Sequence, residues 1–170
     1  SDAVAALDGA LEAWGVADVL DAQARAAVAA SLGSDCPFFL AGGWAAVEGR
    51  GERVRPLTPP RGGPLGVVLV TPAVAVPTRA AFERYAAGVR PEGGAALASS
   101  THLVTELQAG LSATLFLERA GVLGFANDLV PAAADLIPDL TRARRALSRL
   151  LERPVGQSGS GPTLWALSPS

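Results

Sequence analysis

The chain has no Lys and no Met, and it contains a single Cys and a single His among its 170 residues. The lone thiol, Cys36, cannot form an internal disulfide, which is typical of a reducing compartment and leads us to expect a cytoplasmic protein. One Cys and one His cannot supply the ligand set of a zinc-type site. The scarcity of these residues excludes disulfide scaffolds and zinc modules.

Charge and apolar runs are also limited. The 14 basic residues, all Arg, are balanced by 16 acidic residues, and the net charge of -2 does not suggest a clustered basic face for nucleic acid. No apolar run approaches the roughly 20 residues that a membrane-spanning helix needs. We therefore expect no nucleic-acid partner and no membrane partner, whereas the oligomeric state stays open.

The absence of Met also bears on completeness. The sequence opens with Ser1-Asp2-Ala3, which reads as the cap of a helix with no strand before it. We therefore expect the chain to be a processed form or a fragment, and favour a fragment.

The first part of the chain, residues 1–57, alternates helical patterns with turn residues. Apolar residues at helical spacing predict a helix that ends near Trp14 and a second helix from Asp21 to Leu32. Two short segments that flank Gly49-Arg50-Gly51 predict a β-hairpin.

Residues 58–64 are rich in Pro and Gly and are predicted to link the first part to a second domain, residues 65–170. The run Gly66 to Thr71 predicts a strand covered on both faces. Further helices are predicted from Pro77 to Tyr85 and from Ala113 to Ala120. The last predicted helix begins at Pro138 and turns three leucines inward, namely Leu140, Leu147 and Leu150. The pattern is α+β.

The segment from Leu32 to Leu40 places an acidic residue in an unusual setting. Asp35 directly follows a helix end and precedes Pro37 and two Phe. These neighbours would fix its backbone and partly dry its surroundings, as a general base requires. On residue type alone, the alternative is an ordinary Asp in a turn.

Two other segments suit an anion. The stretch from Gly156 to Pro162 contains three glycines, and such backbone can approach a phosphate or another loop closely. Because an Arg-rich helix precedes it and a strand follows, an ordered loop is favoured over a linker. The opening Ser1 and Asp2 could present helix N–H groups to phosphate, or could be a simple N-cap.

Together these segments resemble the 4-diphosphocytidyl-2-C-methyl-D-erythritol kinase family of the GHMP kinase superfamily, over essentially the whole chain. The segments that carry the resemblance are Leu32 to Leu40 with Gly42-Gly43, Gly49 to Glu52, Pro72 to Phe82, Asn127-Asp128-Leu129 and Ser158 to Thr163. Ser1-Asp2-Ala3 is similar to the last three positions of the family's phosphate loop.

The resemblance implies the GHMP kinase fold: residues 1–57 would end an S5-like, ATP-binding N-terminal domain, and residues 65–170 would form a ferredoxin-like C-terminal domain. It implies an ATP-dependent phosphotransferase that phosphorylates the 2-hydroxyl of a cytidine diphosphate ester of methylerythritol, in the non-mevalonate route to isoprenoid precursors.

The resemblance also implies site residues. Asp35 would be the catalytic general base. ATP would be held near five residues, namely Ser1, Asp2, Gly159, Ser160 and Gly161, with Ser1 close to Mg²⁺. Thr78 and Phe82 would bind the acceptor, and Phe82 would stack on the cytosine ring. For Phe82, burial in the core is the alternative.

Two alternatives remain at this point. The chain could belong to another GHMP kinase, acting on mevalonate, homoserine or a sugar, or it could be a non-catalytic binding module. Since most of the family's phosphate loop has no counterpart here, we expect the 170-residue chain alone to be inactive. We also expect its first domain to expose apolar surface.

Overall fold

The computed structural model describes residues 2–89 and 95–170, and it combines helices with short antiparallel strands. The chain divides into two compact units, one ending at Pro59 and the other beginning at Pro60. Within the described residues, no helix has both the length and the apolar character needed to cross a bilayer.

The described residues of the first unit form three α-helices, a 3₁₀ turn and a hairpin. The elements are α1 (Asp2–Ala13), the 3₁₀ turn (Ala17–Val19), α2 (Ala22–Leu32), α3 (Phe38–Ala41), β1 (Ala45–Glu48) and β2 (Arg53–Pro56). β1 pairs with β2 in antiparallel register. The two predicted helices and the predicted hairpin are confirmed.

Local hydrogen bonds explain where α2 begins and ends. The Asp21 carboxylate accepts the Ala24 N–H at 2.7 Å, so it caps the start of the helix. At the other end the Gly33 N–H donates to the Ala29 carbonyl. The Arg25 guanidinium donates to the Asp8 carboxylate at 2.8 Å and so connects α2 to α1.

Few apolar side chains of the first unit are buried. Val4 and Leu11 of α1 and Ala29 of α2 belong to this small group, whereas large side chains such as Trp14 are exposed. The expectation of exposed apolar surface in this unit is confirmed.

The second unit combines a three-stranded sheet with helices. Its elements are β3 (Leu65–Val70), α4 (Thr78–Ala86), α5 (Ala95–Gln108), α6 (Ala113–Glu118), α7 (Ala120–Phe125), α8 (Val130–Leu136), α9 (Pro138–Leu151), β4 (Gly156–Gln157) and β5 (Leu164–Pro169). The strand order is β3-β5-β4, and both pairings are antiparallel.

The core of this unit lies between one face of β5 and the helices. Alternate residues of a strand point to opposite faces, so Leu164 and Ala166 face the same side, and both are 1% exposed. They pack in one cluster with Ala81 of α4, Ala133 of α8 and Leu140 of α9.

The expectation that the strand at Gly66 to Thr71 is covered on both faces is wrong. In the described residues β3 is an edge strand that pairs with β5 alone. Val67 and Leu69 lie opposite Leu167 and Trp165 and remain 58% and 65% exposed. Continuous β-branched residues indicate a strand, but burial depends on which elements later cover it.

The helices at the end of the chain also differ in detail from the sequence prediction. Leu140 is buried as expected, but Leu150 is 79% exposed, and Leu151 packs against the core in its place. The stretch predicted as one helix at Ala113 to Ala120 is divided between α6 and α7. α8 was not predicted, because a short Ala-rich segment gives little periodicity.

Because Leu164 lies at the centre of the core, replacing it should be costly. We expect Leu164→Ala to lower the free energy of unfolding by about 2–5 kcal/mol, since burial is lost and a cavity is left. Leu150→Ala, the same substitution at an exposed site, should change it by less than about 0.5 kcal/mol. Urea unfolding of both variants checks this, and equal effects would contradict the core assignment.

Candidate functional site

Asp35 lies in a tight turn between α2 and α3. The Cys36 N–H donates to the Gly33 carbonyl at 3.1 Å, and Pro37 directly precedes α3. The turn thus has a defined backbone, as the sequence predicts. Asp35 itself is exposed, so the expectation that its neighbours partly dry it is not met.

The loop of the hairpin packs against this turn through Gly51. Gly51 is buried and has a φ of 108°, a backbone conformation that residues other than glycine rarely adopt. A Cβ at this position would lie 1.8 Å from the carbonyl oxygen of Ser34, the residue before Asp35. Only glycine allows the two backbones to approach so closely, and the contact joins the two halves of the motif that includes Asp35.

Glu52 closes the same loop. Its carboxylate accepts the Arg50 N–H at 2.6 Å. Hydrogen bonds from the backbone N–H groups of Glu52 itself and of Arg50 lower the pKa of this carboxyl from its ordinary value of 4.5. The hairpin loop, with the Arg50 N–H bonded to Glu52, is therefore more stable when the Glu52 carboxyl is charged.

A cavity of about 280 Å³ lies beside the turn and the hairpin loop. Its lining comes from α2, the turn and the loop, namely Ala30, Ser34, Pro37, Arg50, Gly51 and Glu52. The first unit therefore has a concavity of mixed polar and apolar lining that includes Ser34, the residue before Asp35.

In the second unit, the glycine stretch forms an ordered turn between β4 and β5. The Ser158 N–H donates to the Thr163 carbonyl and the Gly161 N–H to the Ser158 carbonyl, both at 2.9 Å. Gly159 has a φ of 53°, and a Cβ there would meet nothing within 4 Å. Among the described residues, the N–H groups of Gly159 and Ser160 have no acceptor. The turn thus combines open space with two N–H groups able to bind an anion.

Two residues assigned by the sequence analysis to different ligands are in direct contact. The Thr78 and Ser160 hydroxyl oxygens are 3.0 Å apart, and either can donate. Ser160 is 7% exposed, so its hydroxyl is occupied in holding the turn to the first residue of α4. Phe82 follows one helical turn after Thr78 and is 56% exposed, so it does not belong to the core.

Asn127 is a further residue of this site that the sequence analysis identified only as part of a family motif. Its Nδ2 group donates to the Gln157 carbonyl at 2.9 Å and to the Gly159 carbonyl at 2.8 Å. Its Oδ1 atom accepts the Leu129 N–H at 2.9 Å. One amide thus connects the start of α8 to the glycine turn. The one signal in the sequence was a polar Asn-Asp pair in an otherwise apolar stretch.

The remaining predicted residues are at the start of the chain. Ser1 lies outside the described residues. Asp2 begins α1 and is exposed. Among the described residues, no group of three or more Cys, His, Asp or Glu side chains is arranged to hold a metal ion.

Comparisons with known proteins place these features in a family context. No protein-family model matches the chain. The 4-diphosphocytidyl-2-C-methyl-D-erythritol kinase of Xanthobacter autotrophicus is 40% identical over 100% of the chain and 55% of its own length. The kinases of the same name from Caulobacter vibrioides and Pelotomaculum thermopropionicum are 38% and 33% identical, over 100% and 99% of the chain and 55% and 54% of their lengths. The chain is a homologue of the 4-diphosphocytidyl-2-C-methyl-D-erythritol kinases.

A solved structure agrees with this relationship. A crystal structure of 4-(cytidine 5'-diphospho)-2C-methyl-D-erythritol kinase matches with a TM-score of 0.58 and 28% identity, over 94% of this chain and 52% of that one. The mixed helix and strand architecture therefore corresponds to part of a GHMP kinase fold. The chain spans about half the length of the curated relatives it matches. The curated relatives named above are all kinases of this one name.

The hydrogen bonds of Asn127 lead to a stability prediction. Asn127→Asp keeps the acceptor for Leu129 but replaces both donors with an oxygen that faces two carbonyls. We expect it to lower the free energy of unfolding by about 1–3 kcal/mol, at least as much as Asn127→Ala. Denaturant unfolding measures the loss. Gln108→Glu, the same change of amide to carboxylate on an exposed residue, is the control and should have little effect.

The pKa shift of Glu52 predicts a pH dependence. Because the folded pKa is below the unfolded one, the stabilisation is complete above the unfolded pKa and is lost as pH falls through the folded pKa. We therefore expect Glu52→Gln to be less stable than the parent chain at pH 7 and to approach it at pH 3. Unfolding midpoints at both pH values measure this, with Glu12→Gln on α1 as control. A difference that is the same at both pH values would contradict it.

Proposed function

We propose that the chain supplies the acceptor-activating part of an ATP-dependent kinase for 4-diphosphocytidyl-2-C-methyl-D-erythritol, with Asp35 as general base. The proposal rests on its homology to kinases of that name over 98–100% of the chain. One structural observation carries it: the backbone next to Asp35 is fixed by Gly51, while Asp35 stays exposed and can meet an incoming hydroxyl.

In the proposed step, the Asp35 carboxylate accepts the proton of the acceptor's 2-hydroxyl. The oxygen then forms a bond to the γ-phosphorus of ATP as the bond between that phosphorus and the β,γ-bridging oxygen breaks, and ADP leaves. Phosphoryl transfer needs mainly alignment and neutralisation of charge. An exposed carboxylate on a rigid turn suits the first requirement, because little reorganisation is needed when the hydroxyl arrives.

On the donor side, the second unit supplies the glycine turn. The N–H groups of Gly159 and Ser160 would bind phosphate oxygens, and Gly161 would shape the turn, since its own N–H donates to Ser158. The hydrogen bond between Thr78 and Ser160 and the two from Asn127 would keep this turn rigid.

The family likeness also implies Mg²⁺, which neutralises phosphate charge in such reactions. The described residues offer no cluster of ligands for it, and the proposed contact, Ser1, lies outside them. We therefore assign no step to the ion.

For the acceptor, we propose that Phe82 stacks on the cytosine ring, with Thr78 nearby on the same face of α4. Its 56% exposure leaves a π-face available to a base, and such stacking is worth roughly 1–3 kcal/mol. We further propose that residues 1–57 correspond to the end of an S5-like domain and residues 65–170 to a ferredoxin-like domain.

The base assignment is testable in a chimera in which this chain replaces the segment of the Xanthobacter autotrophicus kinase to which it aligns. We expect Asp35→Asn to lower kcat by about 10²–10⁴-fold, because proton removal by a positioned base contributes that much. ADP release with the cytidine diphosphate ester as acceptor measures it.

Asp18→Asn is the matched control, since Asp18 is another exposed Asp of the first unit, and it should retain the parent kcat. The 170-residue chain alone should release no ADP. An Asp35→Asn chimera with unchanged kcat would overturn the assignment of the base.

A further inference from the structure

We propose that Gly51 and Glu52 are positioning residues that hold the Asp35 turn in its productive place. The inference rests on the proposed function, because it takes Asp35 as the base. It assigns to the hairpin loop a role in turnover that is separate from holding the fold together.

The Asp35 side chain has no hydrogen bond or ion pair of its own among the described residues. Its direction is therefore set by the backbone of the turn. Within the turn, one hydrogen bond joins Cys36 to Gly33, which leaves the peptide between Ser34 and Asp35 dependent on what packs against it. A base must be held to within a fraction of an ångström to act efficiently.

Gly51 provides that packing. Its α-carbon faces the Ser34 carbonyl so closely that an added Cβ would lie 1.8 Å from the oxygen and 2.6 Å from the carbonyl carbon. Carbon and oxygen atoms not bonded to each other need roughly 3 Å or more. A side chain at residue 51 would thus displace the Ser34 peptide, and Asp35 with it, by roughly 1 Å.

Glu52 holds Gly51 in the position from which it packs against the Ser34 carbonyl. The Glu52 carboxylate accepts the Arg50 N–H across the tip of the hairpin at 2.6 Å, and the Gly51 N–H donates to the Glu48 carbonyl at 3.2 Å. Arg50 and Glu52 flank Gly51, so the bond between them limits its movement. A neutral acceptor such as Gln retains this bond, whereas Ala removes it.

The experiment measures kcat and the KM for ATP in the chimera described above. We expect Gly51→Ala to lower kcat by about 10²-fold with little change in KM, because a displacement of 1 Å at a catalytic group can cost that much. Gly62→Ala is the control: Gly62 has a φ of 101°, close to that of Gly51, but a Cβ there would meet nothing within 4 Å. It should keep the parent kcat despite a similar backbone strain.

A second set of variants does not depend on Gly51→Ala being well folded. Glu52→Ala should lower kcat, and Glu52→Gln should restore most of it. In the Asp35→Asn background, Gly51→Ala and Glu52→Ala should lower kcat no further, because both act through Asp35. A role in stability alone would lower kcat in both backgrounds.

The outcomes separate the two proposals. If Asp35→Asn leaves kcat unchanged, the proposed base is wrong. If Asp35→Asn abolishes turnover but Gly51→Ala and Glu52→Ala match the Gly62→Ala control, or add their full effect in the Asp35→Asn background, the positioning role is overturned and the base assignment stands.

Discussion

The contact between the Gly51 backbone and the Ser34 carbonyl is the constraint on which the first unit depends. It joins the turn after α2 to the loop between β1 and β2, two segments that local hydrogen bonding alone would leave independent. Such a contact gains nothing from side-chain burial, yet it requires one residue type, because any Cβ would occupy the space of the carbonyl. The unit thus achieves a defined turn with a small core.

In the second unit, polar side chains rather than a backbone contact hold the turn in place. Its glycine turn is bound from α4 through the Thr78 and Ser160 hydroxyls and from the start of α8 through Asn127. Each tie uses a side chain that is at least partly buried, where a hydrogen bond is costly to leave unmade. A glycine-containing turn, whose own residues allow many backbone conformations, is thus held in one conformation by hydrogen bonds to residues distant in the chain.

Local features of the fold could be predicted, and features that depend on distant neighbours could not. The helix that starts near Asp21 and the hairpin around residues 49–51 follow from residues close in sequence. The burial of β3 and of Leu150 depends on which elements cover them, and both expectations were wrong. For the candidate site, motif likeness led to the proposal of Asp35, but the contacts of Asn127 needed atomic distances, because both of its acceptors are remote in sequence.

β3 shows what an edge position means for the backbone itself. In an antiparallel pair, successive residues alternate between bonding to the neighbouring strand and pointing away from it. Within the described residues β3 has β5 as its one neighbour, so about half of its peptide groups are satisfied by the sheet and the others rely on water. The attachment of this strand to the sheet is therefore one-sided, and separation from β5 would release all of its ladder in a single event.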